Sequence, residues 1–227
     1  KYIYLRLLQD RNETLFHAVL MRYLAEMTPI VYTPTVADAV RYYSRIFRSP
    51  RGLHITPENI DYIDQMLSTG HASQAAVIVC TDNEGILGIG DQGVGGIAIP
   101  IGKLALYVAA GGFHPTSCLP ISLDVGTDNE ELLADPLYLG SHNRRLAEPE
   151  YESFIERFVL AVQRHCPNAV LQWEDLSRHR AFSVLDSYRD MVPSFNDDIQ
   201  GTAAVVHAAL LGAVKVLNSS LSDQTFC

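Results

Sequence analysis

Two pairs of adjacent acidic residues could perform chemistry. Glu174 and Asp175 close the apolar run NAVLQWED, while Asp197 and Asp198 precede the long apolar stretch of SFNDDIQGTAAVV. Hard divalent cations such as Mg²⁺ and Mn²⁺ prefer several carboxylate oxygens as ligands. Helix capping explains one acid at each place, because a carboxylate near a helix N-terminus contributes ~0.3–1 kcal/mol. Capping explains two adjacent acids poorly, so the pattern leaves both capping and metal binding open.

Lys103 and Tyr32 are candidates for proton transfer. Lys103 lies in the apolar segment IPIGKLALYV, where its side chain either extends to the surface or is held inside. Inside, burial and a nearby cation would lower its pKa toward that of a general base, whereas a carboxylate partner would raise it. Tyr32, in PIVYTPT, stands between two prolines just before a predicted helix and is either a rigidly held phenol or an ordinary packed tyrosine.

Two glycine-rich segments resemble nucleotide-binding motifs but fit them badly. GIGDQG (88–93) has the spacing Gly-x-Gly-x-x-Gly, yet no helix is predicted to begin inside it, and Asp91 would occupy the place of a pyrophosphate. We therefore favour a substrate-pocket loop or a plain turn. GGIAIPIGKL lacks the glycine spacing of a P-loop and has Leu104 where a magnesium-binding hydroxyl is required, which excludes that motif.

The pattern of apolar residues predicts the elements that must position these side chains. Amphipathic helices are predicted over 13–27, 34–47 and 56–67, and the chain then alternates between apolar strands and helices. We predict an α/β fold, with a helical N-terminal lobe (1–70) followed by a mostly parallel sheet flanked by helices (71–217). The predicted strands are 75–82, 85–91, 119–129 and 168–175, and the predicted later helices are 99–112, 150–165, 177–189 and 200–217.

Composition excludes several classes of function. The chain has 227 residues and a formal net charge of -9, which disfavours a nucleic-acid surface. We expect no membrane span, because His207 and Lys215 interrupt the last apolar segment. The four cysteines, Cys80, Cys118, Cys166 and Cys227, have no Cys-x-x-Cys spacing, so neither a disulfide framework nor a zinc site is expected. That usage is typical of a reducing compartment, and we expect the cytoplasm or an organelle matrix.

Several long motifs resemble the malic enzyme family, in order and over nearly the whole chain. They are NETLFHAVL, PIVYTPTV, ILGIGDQGVGGIAIPIGKLALY, LDVGTDNEELLADPLYLG, LQWED and SFNDDIQGTAAVV. The resemblance implies oxidative decarboxylation of L-malate to pyruvate and CO₂, with NAD or NADP and Mg²⁺ or Mn²⁺ as cofactors. It also implies a homodimer or homotetramer.

The same resemblance implies roles for individual residues. Glu174, Asp175 and Asp198 would be the metal ligands. Lys103 would be the base and Tyr32 the acid, with Asp197 as the partner that positions Lys103.

The chain also departs from the family pattern. Many members have an arginine that grips a substrate carboxylate within TD-x-E-R-ILG, whereas Gly85 stands at that position here. Malolactic enzymes are similar at this position, although the DQGVGGIAIPIGKL loop is closer to malic enzymes. The family's NAD-binding domain would follow DQTFC, so we expect this chain to be a piece of a longer protein, with 218–227 as the start of a linker.

Three interpretations therefore remain open at the sequence level. The chain is the substrate- and metal-binding domain of a malic enzyme, the equivalent domain of a malolactic enzyme that releases lactate, or a non-catalytic assembly module. The third rests on the apolar helices of residues 1–48.

Overall fold

The computed structural model describes residues 1–225, so Phe226 and Cys227, at the end of the predicted linker, lie outside the described part. The helices are α1 (Tyr2–Arg11), α2 (Glu13–Arg22), α3 (Leu24–Val31), α4 (Thr35–Arg41), α5 (Tyr43–Ile46), α6 (Ile63–Ser68), α7 (Ala98–Gly111), α8 (Glu130–Ala134), α9 (Glu148–His165), α10 (Arg178–Tyr188) and α11 (Thr202–Leu217). The strands are β1 (Leu53–Ile55), β2 (Val77–Thr81), β3 (Cys118–Leu123), β4 (Val170–Glu174) and β5 (Ser194–Asn196).

The five strands form one sheet in the order β1-β3-β2-β4-β5, and every neighbouring pair is parallel. The α/β prediction is therefore confirmed. Because the strands are parallel, their carboxyl ends lie along one edge, where an open α/β sheet usually binds its ligands. That edge carries the residues at the carboxyl ends of β2, β4 and β5. The ends of β4 and β5 contain the two acidic pairs singled out in the sequence, Glu174-Asp175 and Asp197-Asp198.

Helices cover both faces of the sheet, and the central strand β2 shows why. All five of its residues are buried. Val77 and Val79 pack with Leu104 of α7 on one face, whereas Ile78 and Cys80 belong to the larger core, which includes α9. Successive side chains of a strand point to opposite faces, so a strand covered on both sides reads as a continuous apolar run.

The strand predicted over 85–91 is wrong. The segment forms a tight turn in which Ile86 and Gly90 make an isolated antiparallel bridge. Gly88 and Gly90 have φ angles of 81° and 68°, which glycine adopts without steric cost. Leu87, which a buried strand would cover, is 81% exposed.

A strand inside the predicted helical lobe was missed. β1 pairs with β3 through Leu53, His54 and Ile55 and forms one edge of the sheet. Three residues are too few to show a period of two in the sequence. Residues 1–70 therefore contribute a strand to the sheet as well as helices.

Two helical segments are long and apolar enough to cross a membrane by length and composition, although His207 and Lys215 lie in the second of them. Residues Gly93–Gly111 are 72% buried and form a core helix of this fold. Residues Asp197–Leu217, which include α11, are unburied in this structure, and Val205, Val216 and Leu217 are among their exposed side chains. These two residues, one His and one Lys, did not lower the mean hydropathy of this segment below the value typical of a membrane-spanning helix.

The buried imidazole of His17 on α2 predicts a pH dependence of stability. Burial lowers the pKa of His17 to about 4, below the ordinary value of 6.5. Between these values the unfolded chain binds a proton that the folded chain does not, so this contribution to stability is complete above pH 6.5 and is lost as the pH falls toward 4. His17→Gln should therefore flatten the loss of unfolding free energy between pH 6.5 and 4 in urea titrations. His71→Gln, at an exposed position, serves as the control, and an equal slope in His17→Gln and wild type would contradict the prediction.

Candidate active site

The acidic residues predicted as metal ligands converge in the structure. Glu174, Asp175 and Asp198 each offer a carboxylate oxygen, and these three oxygens lie within 4.8 Å of one another. Glu174 and Asp175 are buried, and Asp198 is partly buried. The spacing fits three ligands of a single ion.

Two chain segments create this convergence. β4 ends at Glu174, and Asp175 then takes a left-handed φ of 54°, which turns the chain toward α10. After β5 the chain forms one π-helical turn, Asp197–Gly201, before α11 begins. Such turns recur at functional sites. The Asp198 Oδ2 atom accepts a hydrogen bond from the Asp175 N–H at 2.8 Å, which joins the two segments.

The donor set fits a hard divalent cation. The Asp175 Oδ2 atom is buried and has no hydrogen-bond partner among the described residues. Burial, together with the neighbouring Glu174 and Asp198, raises the pKa of Asp175 to about 8. A buried, unpartnered carboxylate oxygen beside two other carboxylates is costly unless a proton or a cation compensates it. Helix capping alone accounts for none of this arrangement.

Lys103 is held inside, on α7, between two of the predicted site residues. Its Nζ atom lies 2.5 Å from Glu174 Oε1 and 2.6 Å from Asp197 Oδ2. Burial lowers the pKa of Lys103, but the charge of Glu174 and the hydrogen bonds to Asp197 and Glu174 outweigh it, and the net direction is upward. The sequence left open whether a carboxylate partner would oppose burial. In the structure the carboxylate partners do oppose burial, so Lys103 carries a proton.

Tyr32 lies beside Lys103, immediately after α3. The Lys103 Nζ atom is 6.0 Å from the centre of the Tyr32 ring. Burial raises the pKa of Tyr32, while the Lys103 charge opposes it. Gly102 allows this approach, because a Cβ there would lie 2.7 Å from the Val31 carbonyl oxygen and 3.0 Å from Tyr32 Cδ2. All six predicted site residues thus share one edge of the fold.

Sequence reasoning missed the residues that hold Glu174. The Gln172 amide donates to Glu174 Oε2 at 2.7 Å and accepts from the Tyr107 hydroxyl at 2.5 Å. Gln172 is buried in β4, and Tyr107 is one helical turn beyond Lys103 on α7. One signal was present in the sequence, since a glutamine two residues before Glu174 in an apolar strand points to the same face.

The GIGDQG segment uses its own aspartate to bind its backbone. Asp91 accepts hydrogen bonds from the Gly93 N–H at 3.0 Å, the Thr127 hydroxyl at 2.9 Å and the Asp128 N–H at 2.9 Å. Arg145 donates two further bonds to it, each of 2.8 Å. These backbone and side-chain donors already bind the Asp91 carboxylate, so they are not free to bind a phosphate. This favours the turn interpretation over a nucleotide loop.

Comparison with known proteins decides the family. Residues 9–189 match the family described as Malic enzyme, N-terminal domain. The chain belongs to the malic enzyme family. It is 50% identical over 224 residues to a protein of Vibrio campbellii named NAD-dependent malic enzyme. It is 51% identical to proteins of the same name from Idiomarina loihiensis and Aliivibrio fischeri. These alignments cover 99% of this chain but 40% of each relative.

Gly85 stands where the resemblance to malic enzymes implies a substrate-gripping arginine, and the local packing leaves no room for a side chain. A Cβ at Gly85 would lie 2.3 Å from the Leu176 carbonyl oxygen. The Gly85 N–H also donates to the Asp175 carbonyl oxygen at 2.7 Å. The loop after β2 therefore lies directly against the turn at Asp175 and Leu176.

Gly201 makes room for Asp197 and provides a test of the site's geometry. A Cβ at Gly201 would lie 2.2 Å from Asp197 Oδ1, whereas a Cβ at Gly212 on α11 would meet open space. Alanine in place of helical glycine ordinarily stabilises by about 0.5–1 kcal/mol. We expect that gain for Gly212→Ala, and a loss of about 1 kcal/mol or more for Gly201→Ala, because the displaced Asp197 leaves Lys103. Urea unfolding measures both, and equal stabilisation by the two variants would contradict the geometry.

Proposed function

We propose that this chain is the metal- and malate-binding part of an NAD-dependent malic enzyme, which converts L-malate to pyruvate and CO₂. The observation that carries the proposal is the convergence of three carboxylates on one point beside Lys103 and Tyr32. Membership of the family supports the same reaction.

Glu174, Asp175 and Asp198 are the proposed ligands of Mg²⁺ or Mn²⁺. Oxygen ligands in this number leave positions open for substrate oxygens, as Mg²⁺ sites commonly do. Bound there, the ion would polarise the malate hydroxyl and offset the negative charge that develops on that oxygen, and NAD would accept the hydride.

Lys103 is the proposed base for the malate hydroxyl proton. It keeps its own proton while Glu174 pairs with it at 2.5 Å. If Glu174 bound a cation instead, its share of the attraction that raises the pKa of Lys103 would be lost, while burial would still disfavour the charge. The pKa of Lys103 would then fall toward that of a base, although Asp197 keeps its hydrogen bond. Asp197, 2.6 Å away, holds the Nζ atom in place and accepts its hydrogen bond.

Tyr32 is the proposed acid for the carbon that loses CO₂. Burial keeps its phenol protonated, which a proton donor requires. Its place next to Lys103 allows the lysine to replace the proton that Tyr32 gives up.

The names of the relatives favour one of the alternatives left open by the sequence. The three proteins above are named NAD-dependent malic enzyme, which favours NAD over NADP and pyruvate over the lactate of a malolactic enzyme. We propose that the NAD-binding part lies in the length of the relatives that this chain does not span. The exposed apolar side chains of α11 support a packing surface for such a part.

The proposal includes assembly into a homodimer or homotetramer. Exposed apolar side chains on the first three helices support it. These side chains are Ile3, Tyr4, Leu15, Met21 and Leu24.

Removal of one ligand tests the metal site. Asp198→Asn should weaken Mn²⁺ binding to this chain by more than about tenfold, the loss that even an outer partner of a metal ligand commonly causes. Isothermal titration calorimetry at constant pH measures the affinity. Asp190→Asn, an exposed acid after α10, should leave it unchanged. Equal Mn²⁺ affinity in Asp198→Asn and wild type would remove Asp198 from the ligand set.

Substitution of the proposed base tests the chemistry. In an intact enzyme that carries this domain, Lys103→Ala should lower kcat for malate oxidation by about 10²–10⁴-fold, the usual contribution of a positioned acid or base. Mn²⁺ binding should persist, since Lys103 is not a ligand. NADH formation and pyruvate analysis measure the outcome. Malate turnover at the wild-type rate would reject Lys103 as the base.

A further inference from the structure

A buried arginine outside the proposed ligand set lies close to the left-handed turn at Asp175. Arg180 is in the first turn of α10, five residues after Asp175, and its side chain is 9% exposed. Its guanidinium donates to Glu84 at 2.9 Å, to Glu148 at 3.3 Å and to the Leu146 carbonyl oxygen at 3.0 Å. The guanidinium carbon also lies 3.9 Å from the centre of the Tyr151 ring. Such a fork of donors fixes a side chain more rigidly than a lysine can.

The contacts of Arg180 form a closed path that returns to Asp175. Arg180 binds Glu84, and the next residue, Gly85, donates its N–H to the Asp175 carbonyl oxygen at 2.7 Å. A Cβ at Gly85 would meet the Leu176 carbonyl oxygen, so the two backbones are in close contact. The turn at Asp175 therefore has α10 following it on one side and the loop after β2 packed against it on the other.

A second contact steadies the same loop. Tyr151, under the guanidinium, donates its hydroxyl proton to Asp82 Oδ2 at 2.9 Å, and Asp82 Oδ1 accepts the Glu84 N–H at 3.1 Å. Arg145 donates to the Asp82 carbonyl oxygen at 3.0 Å. The segment 82–85 is thus fixed by side chains from α9, α10 and the loop before α9, and it offers one fixed N–H to the Asp175 backbone.

We propose that Arg180 is a positioning residue of the metal site, which acts through Glu84 and Gly85 to hold Asp175 in its left-handed turn. The inference rests on the proposed metal-binding function. This role explains why a positively charged side chain is buried close to the proposed metal site. Its own charge opposes metal binding, so only its contacts account for a favourable effect.

The sign of one substitution separates positioning from charge. Arg180→Gln removes a positive charge, and charge alone would tighten Mn²⁺ binding. Loss of positioning instead weakens it, and we expect a Kd for Mn²⁺ about tenfold higher, as for other outer partners of metal ligands. Arg178→Gln, exposed on the same helix, removes the same charge without these contacts and should leave the Kd unchanged or slightly lower.

The experiment titrates this chain with Mn²⁺ and follows free Mn²⁺ by electron paramagnetic resonance, at a temperature at which circular dichroism shows every variant folded. Glu84→Gln and the double variant complete a cycle. We expect the Kd of the double variant to be little higher than that of either single variant, because both substitutions break the same chain of contacts from Arg180 through Glu84 to Asp175. Arg180→Lys keeps the charge without the fork and should also raise the Kd, and it replaces Arg180→Gln if that variant does not fold.

A Kd in the Arg180 variants equal to that of Arg178→Gln would overturn the positioning role, and so would additive effects in the cycle. Failure of the wild-type chain to bind Mn²⁺ would instead overturn the metal site itself and this inference with it. The two outcomes can be told apart, because the Kd values of the variants can be compared only if the wild-type chain binds Mn²⁺.

Discussion

Mutual repulsion among four carboxylates is the constraint on which this structure depends. Glu174, Asp175 and Asp198 share one point, and Asp197 lies next to it, yet Lys103 is the cation in direct contact with this group. Burial makes the repulsion stronger than it would be in water. A fold that gathers these groups needs a proton or a compensating positive charge, and the divalent cation proposed above would supply that charge at the place where Asp175 has an unpartnered oxygen.

Close backbone approach is the second requirement, and glycine meets it at several places. Gly102 brings α7 against Tyr32, Gly85 brings the loop after β2 against the turn at Asp175 and Leu176, and Gly201 leaves space for Asp197. Each of these glycines adjoins or contacts a proposed site residue. The positions of the proposed site side chains thus depend on residues that have no side chain, together with outer contacts such as Gln172 to Glu174.

Much of the site could be predicted from local pattern, because acids at the ends of apolar strands meet at one edge when the strands are parallel. What could not be predicted depends on tertiary contacts. The protonation of Lys103 is set by Glu174 and Asp197, which are distant in sequence. The 85–91 segment has the composition of a strand, but its glycines form a turn, and the three residues of β1 carry too little pattern to detect. Arg180 resembles any helix-surface arginine until its burial is known.

The most direct test of a shared ion is a crystal of this chain soaked in Mn²⁺, with anomalous scattering recorded at the manganese edge. We predict one strong anomalous peak within about 2.0–2.6 Å of an oxygen from each of Glu174, Asp175 and Asp198, the range for hard cations. Lys103 should then have moved away from Glu174. A map with no peak between these carboxylates, in crystals whose Mn²⁺ is bound elsewhere, would contradict the central claim.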